Sequence, residues 1–371
     1  MQHFFPLPFF TFLKIIRENG GISARKVKNL FPWLLKTTAF EPLRWIELAT
    51  KHRKVLQHQL PQDPIFVLGY YRSGTTYLQQ FLLQDDRKGY HSVFQMIFPE
   101  LMLSHERWLQ PVMETISRIF SMQDPVHRIP LTWDFMGEED ATMTTAVNPM
   151  GAQWGFFFPT TMTRNFDRYV LFDSLSETEK QSWKDAFRYL VSKISMANGG
   201  RQLILKSPPQ TARVQLLLEM YPNAKFVFIH RNPYEVFASN RRFWDVAQDI
   251  YTIGKYRSAN IDENILSTYA KTMDQYLAQR SMVPDNQLVE VAYDDFIQHP
   301  VLQTQRIYEQ LELEGFDHCQ PSMSKFARAQ KSFVRLSHQL NEADTSLVNT
   351  RWGKYLEAWN YQDVVLQDEQ L

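Results

Sequence analysis

IFVLGYYRSGTTYLQQFL, residues 65–82, is the stretch on which the fold turns. Ile65 to Leu68 is a short apolar run closed by Pro64 and Gly69, which reads as a buried strand, and the residues after Gly74 take helical spacing through Leu78 and Leu82. Gly69 and Gly74 stand five residues apart between these elements, a spacing that lets backbone N–H groups and a helix N-terminus surround an anion. A glycine pair of this kind also serves as a plain tight turn before a helix. The triphosphate form of the loop continues Gly-Lys-Ser/Thr, whereas here Thr75 and Thr76 follow Gly74 and Arg72 is the only cation in the loop.

The same alternation runs outward from this unit. Ser176 and Glu179 form a capping box before a helix from Glu177 to Asn198, whose face carries Trp183, Phe187, Leu190, Val191 and Ile194. Strands are expected at Leu203–Leu205, Ala224–Ile229 and Leu288–Ala292. Helices are expected over Ala212–Met220, from Pro233 to about Phe243, around Asn264–Arg280 and from Val301 onward. Continuous apolar strands separated by helices predict an α/β fold, a P-loop-type, mostly parallel sheet with helices on both faces and ligands at the strands' carboxyl ends.

Upstream, Glu41 to His58 reads as a helix, and Pro61, Asp63 and Pro64 mark the start of the main domain. The expected division is a helical, apolar extension over 1–60 and a catalytic domain over 61–371. The opening run MQHFFPLPFFTFLKII lacks a signal peptide's cationic start and cleavage site, and at sixteen residues it falls short of the roughly 20 needed to span a bilayer. Packing on the domain, peripheral membrane contact helped by Leu30–Leu35 with Lys36, and disorder all stay open for it.

Composition narrows the function classes. The 371 residues include 40 Lys plus Arg and 40 Asp plus Glu, so no net charge marks a nucleic-acid partner. Cys319 is the single cysteine, which excludes an internal disulfide and fits a reducing, cytoplasmic compartment. Apolar residues at 44% and aromatics at 14% suffice for a large core. No fixed-period repeat occurs, and oligomeric state is not legible.

HRNPYEVFASN, His230 to Asn240, follows the third strand directly, so Arg231 should sit at a strand end and Ser239 on the helix begun by Pro233. An arginine and a hydroxyl placed in this way can bind a second phosphate. Where a nucleoside triphosphatase strand would carry a magnesium-holding aspartate, this one ends in His230-Arg231, so a cationic, metal-free site is expected.

With both clusters in hand, the sequence resembles the sulfotransferase superfamily, in particular the broad group common in bacteria, over roughly residues 61–361. RSGTT looks like that family's 5′-phosphosulfate loop, Arg231 with Ser239 matches its 3′-phosphate pair, and YDDFIQHP (Tyr293 to Pro300) looks like its later strand-to-helix segment. The resemblance implies sulfuryl transfer from 3′-phosphoadenosine 5′-phosphosulfate (PAPS) to a hydroxyl. It implies that Arg72, Ser73, Gly74, Thr75 and Thr76 hold the 5′-phosphosulfate, Arg231 and Ser239 the 3′-phosphate, with Tyr293 near adenine. Lys206 matches the family's lysine at the bridging oxygen, and Lys354 is a further candidate to close on the donor.

An acceptor hydroxyl needs a general base. The cytosolic subfamily has histidine two residues after that lysine, where this chain has Pro208, and Val93 to Gln95 carry no carboxylate such as the tyrosylprotein type uses. The acidic triplet Glu138, Glu139 and Asp140 resembles a motif of the bacterial group and supplies the candidates, Glu139 first, with His91 as the alternative; a solvated turn or a structural ion pair would explain the triplet equally well. WGFFFP, residues 154–159, and the apolar N-terminus fit a lipid or sterol-like acceptor, with a carbohydrate as the alternative. A P-loop nucleotide kinase and a non-catalytic nucleotide-binding protein are the competing classes.

Overall fold

The computed structural model describes residues 9–30, 39–123, 130–144, 150–255, 259–330 and 340–362. Its sheet has five strands: β1 Ile65–Leu68, β2 Lys88–Gly89, β3 Gln202–Lys206, β4 Lys225–His230 and β5 Leu288–Ala292. They lie in the order β2-β3-β1-β4-β5, and every pairing is parallel. The central strand β1 pairs Val67 with Lys206 of β3 and with Val227 of β4. The chain moves to one side of β1 for β2 and β3 and to the other for β4 and β5, so the loop after β1 opens at a topological switch point.

Sixteen α-helices surround this sheet among the described residues. In chain order the first eight are α1 Phe9–Glu18, α2 Glu41–Gln57, α3 Thr75–Leu82, α4 Val93–Ile97, α5 Glu106–Ile119, α6 Glu139–Thr142, α7 Trp154–Phe157 and α8 Met162–Tyr169. Then follow α9 Glu177–Ala197, α10 Val214–Met220, α11 Pro233–Ile250, α12 Ile261–Gln279, α13 Tyr293–Gln298, α14 Pro300–Gln310, α15 Phe316–Ala329 and α16 Glu342–Ala358. The period of two along the strands divides the core. Phe66, Leu68, Leu203, Leu205, Phe226 and Phe228 face α9, α12 and α16, while Ile65, Val67, Ile204, Val227 and Ile229 face α3, α14 and α15. Both faces are dry, as the unbroken apolar runs in the sequence require.

Most expected elements form close to their expected bounds, and the differences have local causes. Pro208–Arg213 coils as a 3₁₀ segment, so α10 starts at Val214 rather than Ala212. Helix α11 runs past Phe243 to Ile250, with Trp244 and Ala247 continuing its buried face. A short helix, α13, precedes the one expected after Pro300. Trp352, Tyr355 and Leu356 are core residues, and so are Trp154, Phe156 and Phe158 of WGFFFP.

The extension packs on the main unit. Ile15 of α1 is buried, Phe12 lies against Trp154, and the Asn19 carboxamide oxygen accepts from Thr161, Arg164 and Asn165. Residues 1–8, and residues 31–36 of the second apolar run with its lysine, lie outside the described residues. No helix among the described residues is long and apolar enough to cross a membrane. Helix α2 is held through Glu47, which is 2% exposed: it accepts from Lys193 Nζ of α9 at 2.6 Å and from the Leu103 and Ser104 N–H groups at 3.0 and 2.9 Å.

Removing one partner of a buried ion pair strands the other charge. Glu47→Ala is therefore expected to destabilise the protein by about 3–5 kcal/mol, read as a lower urea midpoint at unchanged slope. Glu47→Ala combined with Lys193→Met should recover most of the loss, and an unchanged midpoint in the single variant would refute this account of how α2 is anchored.

Candidate active site at the strand ends

The loop after β1 is shaped by close contact. At Gly69 (φ +147°) a Cβ would stand 2.6 Å from the Ile229 carbonyl oxygen, and at Gly74 (φ +98°) it would stand 2.4 Å from the Tyr293 ring, so no side chain fits either place. Thr211 accepts from the Gly69 N–H at 2.8 Å and donates to its carbonyl at 3.2 Å, and Asn240 Nδ2 donates to the Tyr71 carbonyl at 3.1 Å. Arg72 takes φ +69°, a left-handed conformation uncommon outside glycine. Gly74 caps α3 with no side-chain hydrogen bond, so the first N–H groups of that helix have no side-chain cap, the arrangement in which a helix N-terminus can take an anion.

Two arginines meet over this loop. Arg231 Nη1 donates to the Arg72 carbonyl at 3.2 Å, its Nε donates to Glu235 at 2.7 Å, and its guanidinium lies 4.5 Å from the Tyr293 ring centroid. Arg72 Nε donates to Ser239 Oγ at 3.2 Å. Desolvation by the surrounding protein, and next the Arg231 charge, hold the Arg72 pKa below the ordinary arginine value. Two cations held this close favour the arrival of a negative group. The structure thus brings together Arg72, Ser73, Gly74, Thr75, Thr76, Arg231, Ser239 and Tyr293, with Tyr293 packed beneath the loop glycine. Lys354 is exposed and pairs with Asp274 at 2.5 Å.

Next to the loop, Lys206 ends β3 with its side chain 5% exposed and donates to Glu138 Oε1 at 2.5 Å. The acidic triplet divides three ways. Asp140 is fully buried and saturated, accepting from Arg213 Nη1 at 2.9 Å and from the Ala152 N–H at 2.8 Å. Arg213 also donates to the Val170 and Tyr169 carbonyls and lies over Phe172 and Trp183, so this pair is built into the core. Glu138 reaches the surface beside Lys206. Glu139 is fully buried; one carboxyl oxygen takes a long bond from Gln210 at 3.4 Å and the other has no partner. Burial pushes its pKa up to about 7, the charges of Glu138 and Asp140 push the same way, and the polar groups of its own backbone and of Ser207 oppose.

His91 is also buried, with Nδ1 unpartnered and Nε2 at 3.5 Å from Thr142 Oγ1; burial lowers its pKa to about 4, so it is neutral at pH 7. One residue escaped the sequence reading. Tyr71 sits in the loop itself with a shielded hydroxyl that has no partner, its pKa raised well above 10 by burial and then by the charges of Glu138 and Asp140. Its neighbour Tyr70 instead bonds Thr268 at 2.7 Å. The doubled tyrosine was a visible signal, but which ring faces the acids depends on the loop's path. The Tyr71 ring meets Phe156 edge-on at 5.3 Å, and Phe156 stacks on Trp244 at 5.3 Å, so an aromatic wall adjoins the acids.

Known proteins share this arrangement of chain. Omega-hydroxy-beta-dihydromenaquinone-9 sulfotransferase Stf3 of Mycobacterium bovis is 25% identical over 316 residues, covering 83% of this chain and 78% of its own, and the Mycobacterium tuberculosis Stf3 matches equally. Among solved structures, sulfotransferase STF9 of Mycobacterium avium superposes with a TM-score of 0.67 at 19% identity, over 88% of this chain and 83% of its own. Sulfotransferase STF1 of M. tuberculosis does so with a TM-score of 0.66 at 18% identity, over 92% and 90%. These two structures establish the fold. The Sulfotransferase family pattern matches residues 64–318, well over half of the 371 residues, and the chain belongs to that family.

Proposed function

We propose that the chain moves a sulfuryl group from PAPS to the hydroxyl of a lipophilic acceptor. The observation that carries this reading is the convergence of Arg72, Arg231 and Ser239 on the uncapped N-terminus of α3, with Lys206 one strand away. A single phosphate loop would suit a kinase, whereas a second arginine and hydroxyl beside it suit a separate 3′-phosphate. The tight glycines and the paired cations suit such a donor.

When bound, the donor supplies the sulfuryl group and a phosphate as leaving group. Lys206, held by Glu138, places its cation where negative charge grows on that phosphate oxygen, and the α3 N–H groups with Arg72 hold the group in line. Glu139 takes the acceptor's proton on its unpartnered oxygen. The acceptor oxygen then bonds to sulfur as the sulfur–phosphate-oxygen bond breaks. A base works best when its pKa lies near the operating pH, which a carboxyl near 7 satisfies. Tyr71, kept neutral, offers its O–H to the acceptor oxygen.

A lipid-like acceptor is favoured by the aromatic wall of Tyr71, Phe156 and Trp244, and a relative named for a menaquinone-derived acceptor points the same way. A cytoplasmic setting belongs to the same reading, with Cys319 a free, buried thiol.

Titration calorimetry with 3′-phosphoadenosine 5′-phosphate in the presence of a chelator should show binding that needs no metal. Arg231→Ala should weaken it about 10- to 100-fold, as loss of a charged hydrogen bond dictates. Preference for magnesium–ATP over that nucleotide would sink the donor assignment. Turnover should rise with pH through about 7, and Glu139→Gln should lower kcat by about 10²–10⁴ and remove that limb; an intact limb in this variant, but not in Glu138→Gln, would transfer the role to Glu138.

Stability gives an independent reading of the same carboxyl. Its folded pKa of about 7 lies above the ordinary 4.5, so the folded protein holds the proton through that window. The stability this contributes is fully present below 4.5 and lost as pH rises through about 7. Relative to wild type, Glu139→Gln should therefore gain about 3 kcal/mol between these limits. A difference that stays flat with pH would contradict the buried, uncharged Glu139.

A further inference from the structure

Helix α5 turns part of its apolar surface outward. Trp108, Val112, Ile116 and Ile119 fall within an arc of about 80° at 100° per residue. Trp108 is 49% exposed, Ile119 70%, and Phe120 just past the helix end 73%. The adjoining face is a proper core face, where Leu109 and Met113 pack with Phe94, Phe98 and Trp133. The outer stripe is therefore a second apolar surface on a helix already anchored by its first.

The helix's charges are sorted by sign. Glu106 accepts from Gln95 Nε2 with both oxygens at 3.1 Å, and Glu114 accepts from the Trp133 N–H at 2.7 Å, so both carboxylates are engaged by neighbouring elements. Arg107 and Arg118 are exposed and lie together about 80–100° round the helix from Trp108, with the half-buried Glu114 just beyond them. The stripe that α5 offers to solvent is apolar with a cationic flank, and the helix's two carboxylates are half-buried and lie on the far side from the stripe.

We propose that this face of α5 docks on an anionic lipid bilayer. Apolar and tryptophan side chains beside arginines are what a helix lying in the headgroup layer presents, and exposed stripes of this kind mark interaction surfaces. Charge complementarity favours anionic lipid over a second copy of the chain. Two such helices laid face to face would bring four arginines together with no outward carboxylate from either helix to meet them. The position also suits a lipophilic acceptor. Glu106 of α5 contacts Gln95 of α4, and Met96 of α4 accepts from the Glu138 N–H at 3.4 Å, so the stripe lies close in the fold to the acidic triplet. Docking itself rests on the surface alone and not on the acceptor reading.

Vesicle flotation with the full chain tests this, using pure phosphatidylcholine against phosphatidylcholine mixed with phosphatidylglycerol. The wild type should float with the anionic vesicles, less so as salt rises. Arg107→Gln with Arg118→Gln should lower the apparent affinity on the order of tenfold or more and flatten the salt dependence. Val112→Glu with Ile119→Glu should abolish flotation. Both double variants should bind 3′-phosphoadenosine 5′-phosphate as the wild type does, which shows that they are folded. A wild type that stays off anionic vesicles overturns the proposal, and so does a Val112→Glu/Ile119→Glu variant that floats unchanged. If light scattering instead shows that variant splitting a dimer while flotation is unaffected, the stripe is a self-association face and the proposal falls. Flotation needs neither donor nor turnover, so its failure leaves the sulfuryl-transfer reading standing, and loss of that reading leaves docking intact.

Discussion

The parallel pairing of β1 with β3 on one side and β4 on the other is the constraint from which the site follows. Because all three strands point the same way, their carboxyl ends deliver the Gly69–Thr76 loop, Lys206 and Arg231 to one edge. An antiparallel neighbour would send one of these groups to the far side of the sheet. The pairing in turn depends on dry faces, which the alternation of Phe66 and Leu68 against Ile65 and Val67 provides. The close approach of Gly69 to the Ile229 carbonyl then lets the loop fold back over β4, bringing Arg72 within reach of both Ser239 and Arg231.

On this edge the protein keeps like charges together, which is costly, and separates the two signs into neighbouring half-sites. Arg72 and Arg231 share one half, Glu138, Glu139 and Asp140 the other, and Lys206 with Glu138 bridges them. The cost on the acidic side is limited by giving each carboxyl a different partner. Asp140 is neutralised by Arg213, Glu138 by Lys206, and Glu139 holds its proton up to about neutral pH. Without the Arg213 contact, Asp140 would be a buried bare charge, and the pKa of Glu139 would be driven higher still by its neighbour.

How much of this the sequence disclosed depends on the distance over which each feature is decided. The strand–loop–helix unit is local: an apolar run, two glycines and a helical period lie within residues 65–82. Helix α9 is local too, since Ser176 and Glu179 close its capping box within one turn. The 3₁₀ path of Pro208–Arg213 and the start of α13 directly at the end of β5 are set by packing against the sheet, and residue patterns leave both open. The division of labour among Glu138, Glu139 and Asp140 could not be read at all, because Lys206 and Arg213 stand 68 and 73 residues from their partners. Adjacent acids look alike until the chain is folded. The same holds for Tyr70 and Tyr71, one satisfied by Thr268 and the other left without a partner.

Unsatisfied groups give the site a direction. A buried polar atom without a partner costs about 1–3 kcal/mol, so a fold tolerates such atoms in few places. Tyr71 Oη, His91 Nδ1 and a Glu139 carboxyl oxygen are three of them, each in or close to the acidic region around α6. On the arginine side the side chains are mostly engaged with one another, Arg72 with Ser239 and Arg231 with Glu235, while backbone N–H donors at a helix end have no side-chain cap. Those donors suit a charged phosphate or sulfate oxygen, which accepts and cannot donate. The unpartnered hydroxyl and carboxyl oxygen on the acidic side suit a group that both donates and accepts, which is what an alcohol does. The two half-sites therefore differ in hydrogen-bonding sense as well as in charge, and in the proposed reaction that difference orients the transfer from the arginines toward the acids.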